Sequence, residues 1–236
     1  MKICPMDKSF LLFRCVHFGP LGPSNIEKMP VNIPDLTKGQ LERNRQFFAR
    51  ITEAYGACAM LAMEGDLVVG HARFYPQMIC DQCQFCCQDP KYGITQQMVE
   101  MDLPAIENPV DRILRIDCFL VHKDYRGRGL SHALLDGIVE WARAHDWKVV
   151  RAWASGDNYW VASQICTPML RTYTRHGFQK ARTFPASEFP SSEARKLLVQ
   201  IREGKLGAER KKEFEAFCGG EDLSELALLH EVERRL

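Results

Sequence analysis

The spacing of apolar residues divides the first third of the chain into a strand, a helix and a hairpin. Residues 9–19, "SFLLFRCVHFG", form a mostly apolar run that predicts a strand. Apolar positions recur at helical intervals from residue 33 to residue 56, with Thr37 as the candidate N-cap. Two apolar runs within residues 57–76, joined around Gly65, predict a β-hairpin.

The same patterning predicts a strand, a helix and a second strand in the middle of the chain. Residues 112–122, "RILRIDCFLVH", are almost continuously apolar, which is typical of a strand that is covered on both faces. The next predicted strand is "WKVVRAWAS", residues 147–155. Between them, apolar residues follow a 3.6-residue period at Leu130, Ala133, Leu134, Gly137, Ile138, Trp141 and Ala142. This order predicts a βαβ unit with a parallel pair of strands.

One further helix and two less regular segments complete the predicted organisation. In "TPMLRTYTRHGF", Thr167 is the expected N-cap, Pro168 the first helical residue and Gly177 the residue that ends the helix. Residues 77–111 contain several prolines and little periodicity, so we expect a long loop or insertion there. From Ala186 to the end, helix-like segments rich in charged residues and Leu predict a helical extension.

Charge and composition exclude several classes of partner. The 236 residues include 31 Lys and Arg against 30 Asp and Glu, a net charge of +1, which gives no basis for binding nucleic acid or an anionic membrane. No apolar run approaches the roughly 20 residues that span a bilayer. The first ten residues lack the apolar region of a signal peptide, so we expect a cytoplasmic protein.

Four of the ten cysteines are concentrated in eight residues, "CDQCQFCC". In a cytoplasmic protein we expect free thiols rather than disulfides. These four thiols could supply ligands for zinc or an iron–sulfur cluster, but the run lacks a second distant pair. A thiol-rich loop bordering the substrate cleft is the favoured interpretation, and the metal-ligand candidates are Cys80, Cys83, Cys86 and Cys87.

The stretch "DYRGRGLSHALL", residues 124–135, connects the apolar strand to the helix that follows it. A helix N-terminus presents unpaired backbone N–H groups, which bind anions and phosphates. Gly127 and Gly129 leave that backbone bare, and Arg126 and Arg128 can add charge-assisted contacts. We interpret the stretch as a pyrophosphate cradle. The alternative is a surface turn whose arginines are solvated, and neither a P-loop nor a complete dinucleotide fingerprint is present.

Two motifs resemble those of a known family. Arg126-x-x-Gly129-x-Ser131 resembles the [QR]-x-x-G-x-[GA] acyl-CoA signature of the GNAT superfamily of N-acetyltransferases, with Ser in place of the final Gly or Ala. Tyr173-x-x-x-Gly177-Phe178 resembles the late Y-x-x-x-G-F element of the same family. The resemblance covers residues 113–178.

The resemblance implies a fold and a domain organisation. The expected class is α/β (α+β), with a mixed, centrally splayed β-sheet flanked by helices and a helical C-terminal extension. Residues 1–185 would form the acetyltransferase domain, with residues 77–111 as a cysteine-rich insertion, and residues 186–236 would form the extension.

The resemblance also implies acetyl-CoA as co-substrate. The pantetheine arm would pair with the backbone of Phe119, Leu120 and Val121, and a backbone N–H of this strand would polarise the thioester carbonyl. The diphosphate would contact the amides of Arg126, Gly127, Arg128, Gly129, Leu130, Ser131 and His132.

Three side chains are candidates for the chemistry. By the resemblance, Tyr173 is the general acid for the departing CoA thiolate, and the alternative is an aromatic side chain that only packs. Asp117 interrupts the apolar strand and is the candidate base. An ion pair with Arg115, or a water relay in place of Asp117, is the alternative. Cys118 could carry the acyl group covalently, but a small buried apolar residue is the favoured interpretation.

The expected function is therefore an acyltransferase that moves an acetyl group from acetyl-CoA to a primary amine of a small molecule or peptide, by direct attack in a ternary complex. The alternative is a non-catalytic acyl-CoA sensor with a thiol-rich regulatory or metal-binding loop. A nucleotide-binding module is a third, weaker option. Whether the protein forms a homodimer stays open. The sequence does not indicate the acceptor or the acyl chain preference.

Overall fold

The computed structural model describes residues 1–7, 16, 19–22, 38–82, 94–165, 167–185, 188, 192–218 and 228–236. These residues form two compact units, the first made of residues 1–150 with Leu236 and the second of residues 151–235. The strand predicted at residues 9–19 lies almost wholly outside the described residues, and so does Thr37.

Four antiparallel strands form the sheet of the first unit. They are paired in chain order, and the hairpin predicted within residues 57–76 is confirmed as β2 and β3. Gly65 in its turn has a φ of +58°, the left-handed region that favours glycine. The strands are β1 (Lys2–Pro5), β2 (Ala59–Glu64), β3 (Leu67–Pro76) and β4 (Ile113–Val121).

The described residues of the first unit form four helices, and two of them correct the prediction of a long loop at residues 77–111. They are α1 (Lys38–Tyr55), α2 (Gln77–Gln82), α3 (Gln96–Glu100) and α4 (Leu130–Ala144), with short 3-10 turns at Pro109–Asp111 and Lys123–Tyr125. The prediction of a loop missed α2 and α3 because a helix of five or six residues is too short to display a 3.6-residue period. Local side chains hold α3 instead: the hydroxyl of Thr95 accepts a hydrogen bond from the Met98 amide at 3.2 Å.

Hydrogen bonds from polar side chains of α1 hold the segment that contains α3 against α1. Arg43 donates to the Ile94 carbonyl at 3.0 Å, and the Tyr55 hydroxyl donates to the Pro104 carbonyl at 2.8 Å. Between them, the Arg50 guanidinium donates to the carbonyls of Val99 and Met101. Side-chain donors thus satisfy carbonyls within α3 and on either side of it, which fixes part of the predicted insertion on α1.

Helix α4 lies close to the first three strands. Its buried residues confirm the apolar period predicted from Leu130 onward: Leu130, Leu134, Leu135, Ile138, Val139, Trp141 and Ala142. Gly137 lies in close contact with the sheet, because a Cβ built on it would lie 2.8 Å from Ile3 Cγ2 and 3.3 Å from Met60 Cγ and Sδ. Glycine at this position therefore sets the distance between the helix and the sheet.

The second unit contains three strands and four helices in the described residues. Strand β7 lies between β5 and β6 and runs antiparallel to β6. The elements are β5 (Val149–Ser155), α5 (Tyr159–Gln164), α6 (Leu170–Arg175), β6 (Gln179–Pro185), α7 (Ser192–Arg202), α8 (Ala208–Cys218) and β7 (Leu228–Arg235). The alternation of helices and strands confirms the predicted α/β class.

The expected start of α6 at Thr167 and Pro168 is wrong. The helix begins at Leu170 with Met169 as the N-cap. The Thr167 hydroxyl is engaged elsewhere, donating to the Trp153 carbonyl, and Met169 makes a parallel bridge with Ser155. Pairing with β5 thus keeps residues 167–169 extended. Gly177 follows the helix at a φ of +76°, as predicted for the residue that ends it.

The C-terminal extension is helical only in part. Helices α7 and α8 confirm the prediction, and they bury Leu197, Leu198, Ile201 and Phe214 in one cluster with Trp160. The last segment, Leu228–Arg235, is a strand and not a helix, because pairing with β6 outweighs the helix propensity of its Leu, Glu and Arg residues. The predicted domain boundary between residues 185 and 186 stays a prediction.

In the described part of the chain, none of the helices combines the length and the hydropathy that crossing a bilayer requires.

Replacing Gly137 with Leu should destabilise the protein by about 1–3 kcal/mol, because the new side chain would overlap Ile3 and Met60. The free energy of unfolding measured by urea titration checks this. Ala144→Leu, at an exposed position of the same helix, is the control and should change stability little. Equal stability of the two variants would show that the α4–sheet contact is looser than described.

Candidate functional site

Strand β4 contains a bulge next to the residues proposed for catalysis. In its register with β3, Arg73 lies opposite Cys118 and Phe74 lies opposite Ile116. Asp117 is therefore an extra residue of β4 without a partner position in β3. A bulge redirects a side chain and interrupts the ladder, and such features are common beside active sites.

Asp117 is half-buried beside ionisable groups of the first unit. Arg115, the ion-pair partner that the sequence offered, is buried and donates to Gln77 Oε1 at 3.1 Å. Burial raises the pKa of Tyr75 well above its usual range, and the Asp117 charge adds to that shift while Arg73 opposes it. Asp117 thus acts electrostatically on a buried phenol, and its role as a base stays a prediction.

The chain after β4 is fixed in a turn by two side-chain hydrogen bonds. His122 Nδ1 accepts from the Asp124 amide at 3.4 Å, which caps the short 3-10 turn. Arg126 Nε donates to the Val121 carbonyl at 3.1 Å, so this side chain turns back toward the end of the strand. Together these contacts define where α4 begins.

The N-terminus of α4 has the geometry expected of an anion cradle. Gly127 and Gly129 each have a φ of +75°, and a Cβ built on either would meet no described atom within 4 Å. Gly129 is the N-cap, so no side chain caps this end of the helix. The first intrahelical bond runs from the Ala133 amide to the Gly129 carbonyl at 3.1 Å. The three preceding amides, those of Leu130, Ser131 and His132, belong to the first helical turn, where backbone donors project from the end of a helix.

The structure thus brings the predicted cradle residues together in one turn. Arg126 and Ser131 are half-buried, Arg128 is exposed, and Leu130 is buried under the turn. The helix dipole adds partial positive charge at this end.

Arg128 has partners that the sequence did not indicate. Its guanidinium lies 3.8 Å from the Glu64 carboxylate at the end of β2 and 4.8 Å from the centre of the Tyr125 ring. It also donates to the Asp124 carbonyl at 3.2 Å. A hydrogen bond with Glu64 is the largest cause that raises the pKa of Tyr125. Because Glu64 is distant in sequence, no local pattern could have revealed this contact.

The side chains of the proposed pantetheine segment are buried in the first unit. Phe119 lies opposite Ala72, Leu120 opposite His71 and Val121 opposite Gly70. A Cβ on Gly70 would lie 3.3 Å from the Leu120 carbonyl oxygen, so β3 and β4 approach closely here. The backbone pairing predicted for this segment with acetyl-CoA stays a prediction.

Tyr173 belongs to the second unit and is fully buried on α6. Its ring lies 5.2 Å from that of Phe178 with the planes at 62°, an edge-to-face pair. The two aromatic positions of the late motif therefore pack together across the turn at Gly177. This contact accounts for the packing interpretation of Tyr173, and its role as general acid stays a prediction.

Asn158 has a structural role in the second unit. Its Oδ1 accepts from the Val161 amide at 3.1 Å and caps α5, and its Nδ2 lies 3.0 Å from Cys218 Sγ.

The cysteine cluster lies mostly outside the described residues, which contain Cys80 within α2 but not Cys83, Cys86 or Cys87. Within the described ranges no group of three or more His, Cys, Asp or Glu residues could hold a metal ion. The two interpretations of the cluster therefore stay predictions.

A cleft of about 470 Å³ lies at the opposite end of α4 from the cradle. Its lining includes Tyr55, Pro104, Arg112, His145 and Trp147. His145 follows the last residue of the helix, so about 20 Å separates this cleft from the Gly129 end. Sequence patterning gave no sign of it.

Comparison with known proteins identifies the family. The sequence model described as the acetyltransferase (GNAT) family matches residues 29–178, more than half of the chain. The chain therefore belongs to this family. Membership confirms the predicted superfamily and fold class, and it supports acetyl transfer as the general activity.

No curated protein sequence matches the chain. Solved structures similar to it include a ribosomal-protein-alanine N-acetyltransferase from Brucella melitensis, with 14% identity, TM-score 0.49 and full coverage of both chains. Ard1 from Thermoplasma volcanium has 11% identity and TM-score 0.47, covering 100% of this chain and 97% of that one. The putative acetyltransferase yncA from Salmonella typhimurium, with its cofactor acetyl-CoA, has 14% identity and TM-score 0.48, covering 100% and 94%.

The turn before the cradle should make stability depend on pH near neutrality. Burial lowers the pKa of His122 from its ordinary value of 6.5, with Asp124 opposing the shift. The neutral form is thus favoured in the folded protein, and its contribution is present above pH 6.5 and lost as the pH falls through the lower, folded pKa. Free energies of unfolding at several pH values between 7.5 and 5 should show a larger loss in the wild type than in His122→Asn. Asn keeps an acceptor for the Asp124 amide but does not titrate, so parallel curves would contradict the assignment.

Proposed function

We propose that this protein is an acetyl-CoA-dependent N-acetyltransferase that acts on a primary amine of a small molecule or peptide. The observation that carries the proposal is the N-terminus of α4, where Gly129 at a φ of +75° replaces a capping side chain in a chain of the acetyltransferase family. Bare backbone, open space and a positive helix end suit a diphosphate.

The cradle residues fit the cofactor by shape and charge. The amides of Gly127, Arg128, Gly129, Leu130, Ser131 and His132 would hold the diphosphate, whereas the Arg126 amide, also predicted to bind it, already donates to the Lys123 carbonyl at 3.3 Å. The Arg126 side chain is directed to the Val121 carbonyl, so its contribution would be to fix the turn as well as to add charge. Arg128 would share its charge between the diphosphate and Glu64.

The backbone of β4 would hold the pantetheine arm along Phe119, Leu120 and Val121. The bulge at Asp117 supports this proposal, because it interrupts the ladder with β3 at the inner end of that segment. A backbone N–H there would polarise the thioester carbonyl. When bound, the cofactor supplies the activated acetyl group, and the protein supplies orientation. The splay of the two central strands is part of the same proposal.

Two proton steps accompany direct attack by the amine. Asp117 would accept the amine proton, directly or through water, and half-burial would keep this carboxylate near the substrate. Tyr173 would donate a proton to the departing CoA thiolate. The cytoplasmic location and the homodimer remain expectations, and the described residues contain no observation that favours the acyl-CoA sensor.

Gly129→Glu should abolish acetyl-CoA binding, because the carboxylate would repel the diphosphate and a Cβ would occupy the cradle. Isothermal titration calorimetry with acetyl-CoA measures the loss. Gly204→Glu is the matched control, since Gly204 also has a positive φ, +65°, and open space around it, but lies outside the cradle. Gly129→Asn separates charge from backbone strain, because Asn tolerates this φ. Normal binding by Gly129→Glu would show that the cradle is assigned to the wrong turn.

Tyr173→Phe should lower the turnover number by at least about tenfold and leave the Kd for acetyl-CoA nearly unchanged, because only the proton donor is lost. CoA thiol release over a panel of amines provides the rate. Tyr159→Phe, at an exposed tyrosine of α5, is the control. An unchanged rate in Tyr173→Phe would leave Tyr173 with the packing role that its contact with Phe178 already explains.

A further inference from the structure

A cysteine and a histidine on adjacent strands form a pair that the proposed mechanism does not use. Cys118 Sγ on β4 lies 3.8 Å from His71 Nε2 on β3. That separation suits a hydrogen bond involving sulfur. A nucleophile within hydrogen-bond reach of a base is the geometric signature of an activated nucleophile.

The strand register places Cys118 and His71 on the same face of the sheet as Arg73. Arg73 lies opposite Cys118, and His71 lies opposite Leu120, so all four side chains point to the same side. Arg73 holds its guanidinium 4.9 Å from the centre of the Phe48 ring on α1.

His71 and Cys118 differ in burial, as is required of a base that is shielded and a nucleophile that can be reached. His71 is fully buried, whereas Cys118 is half-buried and can be reached. The sulfur also follows the bulge at Asp117, next to the segment proposed to hold the pantetheine arm. The geometry therefore combines an accessible nucleophile, a shielded base and an arginine at the register position opposite the nucleophile.

Two other cysteines of the first unit differ from Cys118 in burial and in their contacts, although the Arg73 charge acts on Cys58 as well. Cys58 is fully buried beside Thr52, and burial raises its pKa to about 11. Cys4 is half-buried on β1, and burial raises its pKa as well. Both thiols are therefore held in the unreactive protonated form, and they serve as internal references for Cys118.

We propose that Cys118, with His71 as its base, is an acetyl acceptor within the site and forms S-acetylcysteine when acetyl-CoA is bound and no amine is present. The inference rests on the proposed function, because it needs the thioester to lie along β4.

The step balances without a further reagent. His71 Nε2 takes the proton from Cys118 Sγ, and the thiolate attacks the carbonyl carbon of acetyl-CoA. A new carbon–sulfur bond forms to Cys118, the bond to the CoA sulfur breaks, and His71 returns the proton to the CoA thiolate. One thioester replaces another, so no oxidant or reductant takes part.

The experiment incubates the full-length protein with acetyl-CoA alone, stops the reaction with acid, and analyses tryptic peptides by mass spectrometry. The peptide of residues 116–123 contains Cys118 as its only cysteine, and the peptides of residues 3–8 and 51–73 report Cys4 and Cys58. Hydroxylamine removes thioester-linked acetyl and leaves amide-linked acetyl, which identifies the bond.

We expect Cys118 to be acetylated at least about tenfold faster than Cys4, with the label removed by hydroxylamine, because an adjacent base accelerates the attack by such factors. Protein unfolded in urea should lose this preference. His71→Gln should slow the reaction of Cys118 by a similar factor, and Gly129→Glu should prevent it. If His71→Gln does not fold, the comparison of Cys118 with Cys4 in the wild type decides the question.

Two results would overturn the proposal: equal acetylation of Cys118 and Cys4, or no acetyl group on Cys118 in protein that binds acetyl-CoA by calorimetry. The second result leaves the proposed function intact, and the contact with His71 is then structural. If acetyl-CoA does not bind at all, the proposed function fails together with this inference.

Discussion

The candidate site depends on one backbone constraint, the left-handed conformation of Gly129 at the start of α4. A side chain at this position would be strained and would offer the helix amides a cap, whereas glycine leaves them open to an outside anion. The hydrogen bonds of Arg126 to Val121 and of Asp124 to His122 fix the turn that leads into it. An anion bound at this candidate site would thus find the turn already organised, which would lower the entropy lost on binding.

Other elements of the first unit fix the distance between this turn and the sheet. Gly137 lets α4 approach β1 and β2, and Gly70 lets β3 approach the Leu120 carbonyl. The same strands carry the bulge at Asp117 and the pair of Cys118 with His71. Helix packing and strand register therefore determine jointly where phosphate groups, a thioester and reactive side chains could meet.

At the candidate site, the positive charge of Arg128 is balanced by a nearby carboxylate. The chain as a whole carries almost no excess of positive charge. Arg128 faces Glu64 and Tyr125, so an incoming diphosphate would share this cation with an existing carboxylate. The Arg128 and Glu64 side chains are both exposed. Because exposed ion pairs contribute little to stability, replacing part of the Arg128–Glu64 contact by a contact with the diphosphate would cost little free energy. Selectivity for an anion would then come from the directed amides of the turn more than from net charge.

The sequence by itself determined the strand–turn–helix at residues 113–144 and the hairpin at β2 and β3, because each depends on patterns within a few residues. It also determined the family, through two short motifs. Only the tertiary structure decided that Leu228–Arg235 is a strand, that Arg128 contacts Glu64 and that Cys118 lies beside His71. Those outcomes depend on pairing between segments far apart in the chain, where contact with another strand outweighs local propensity.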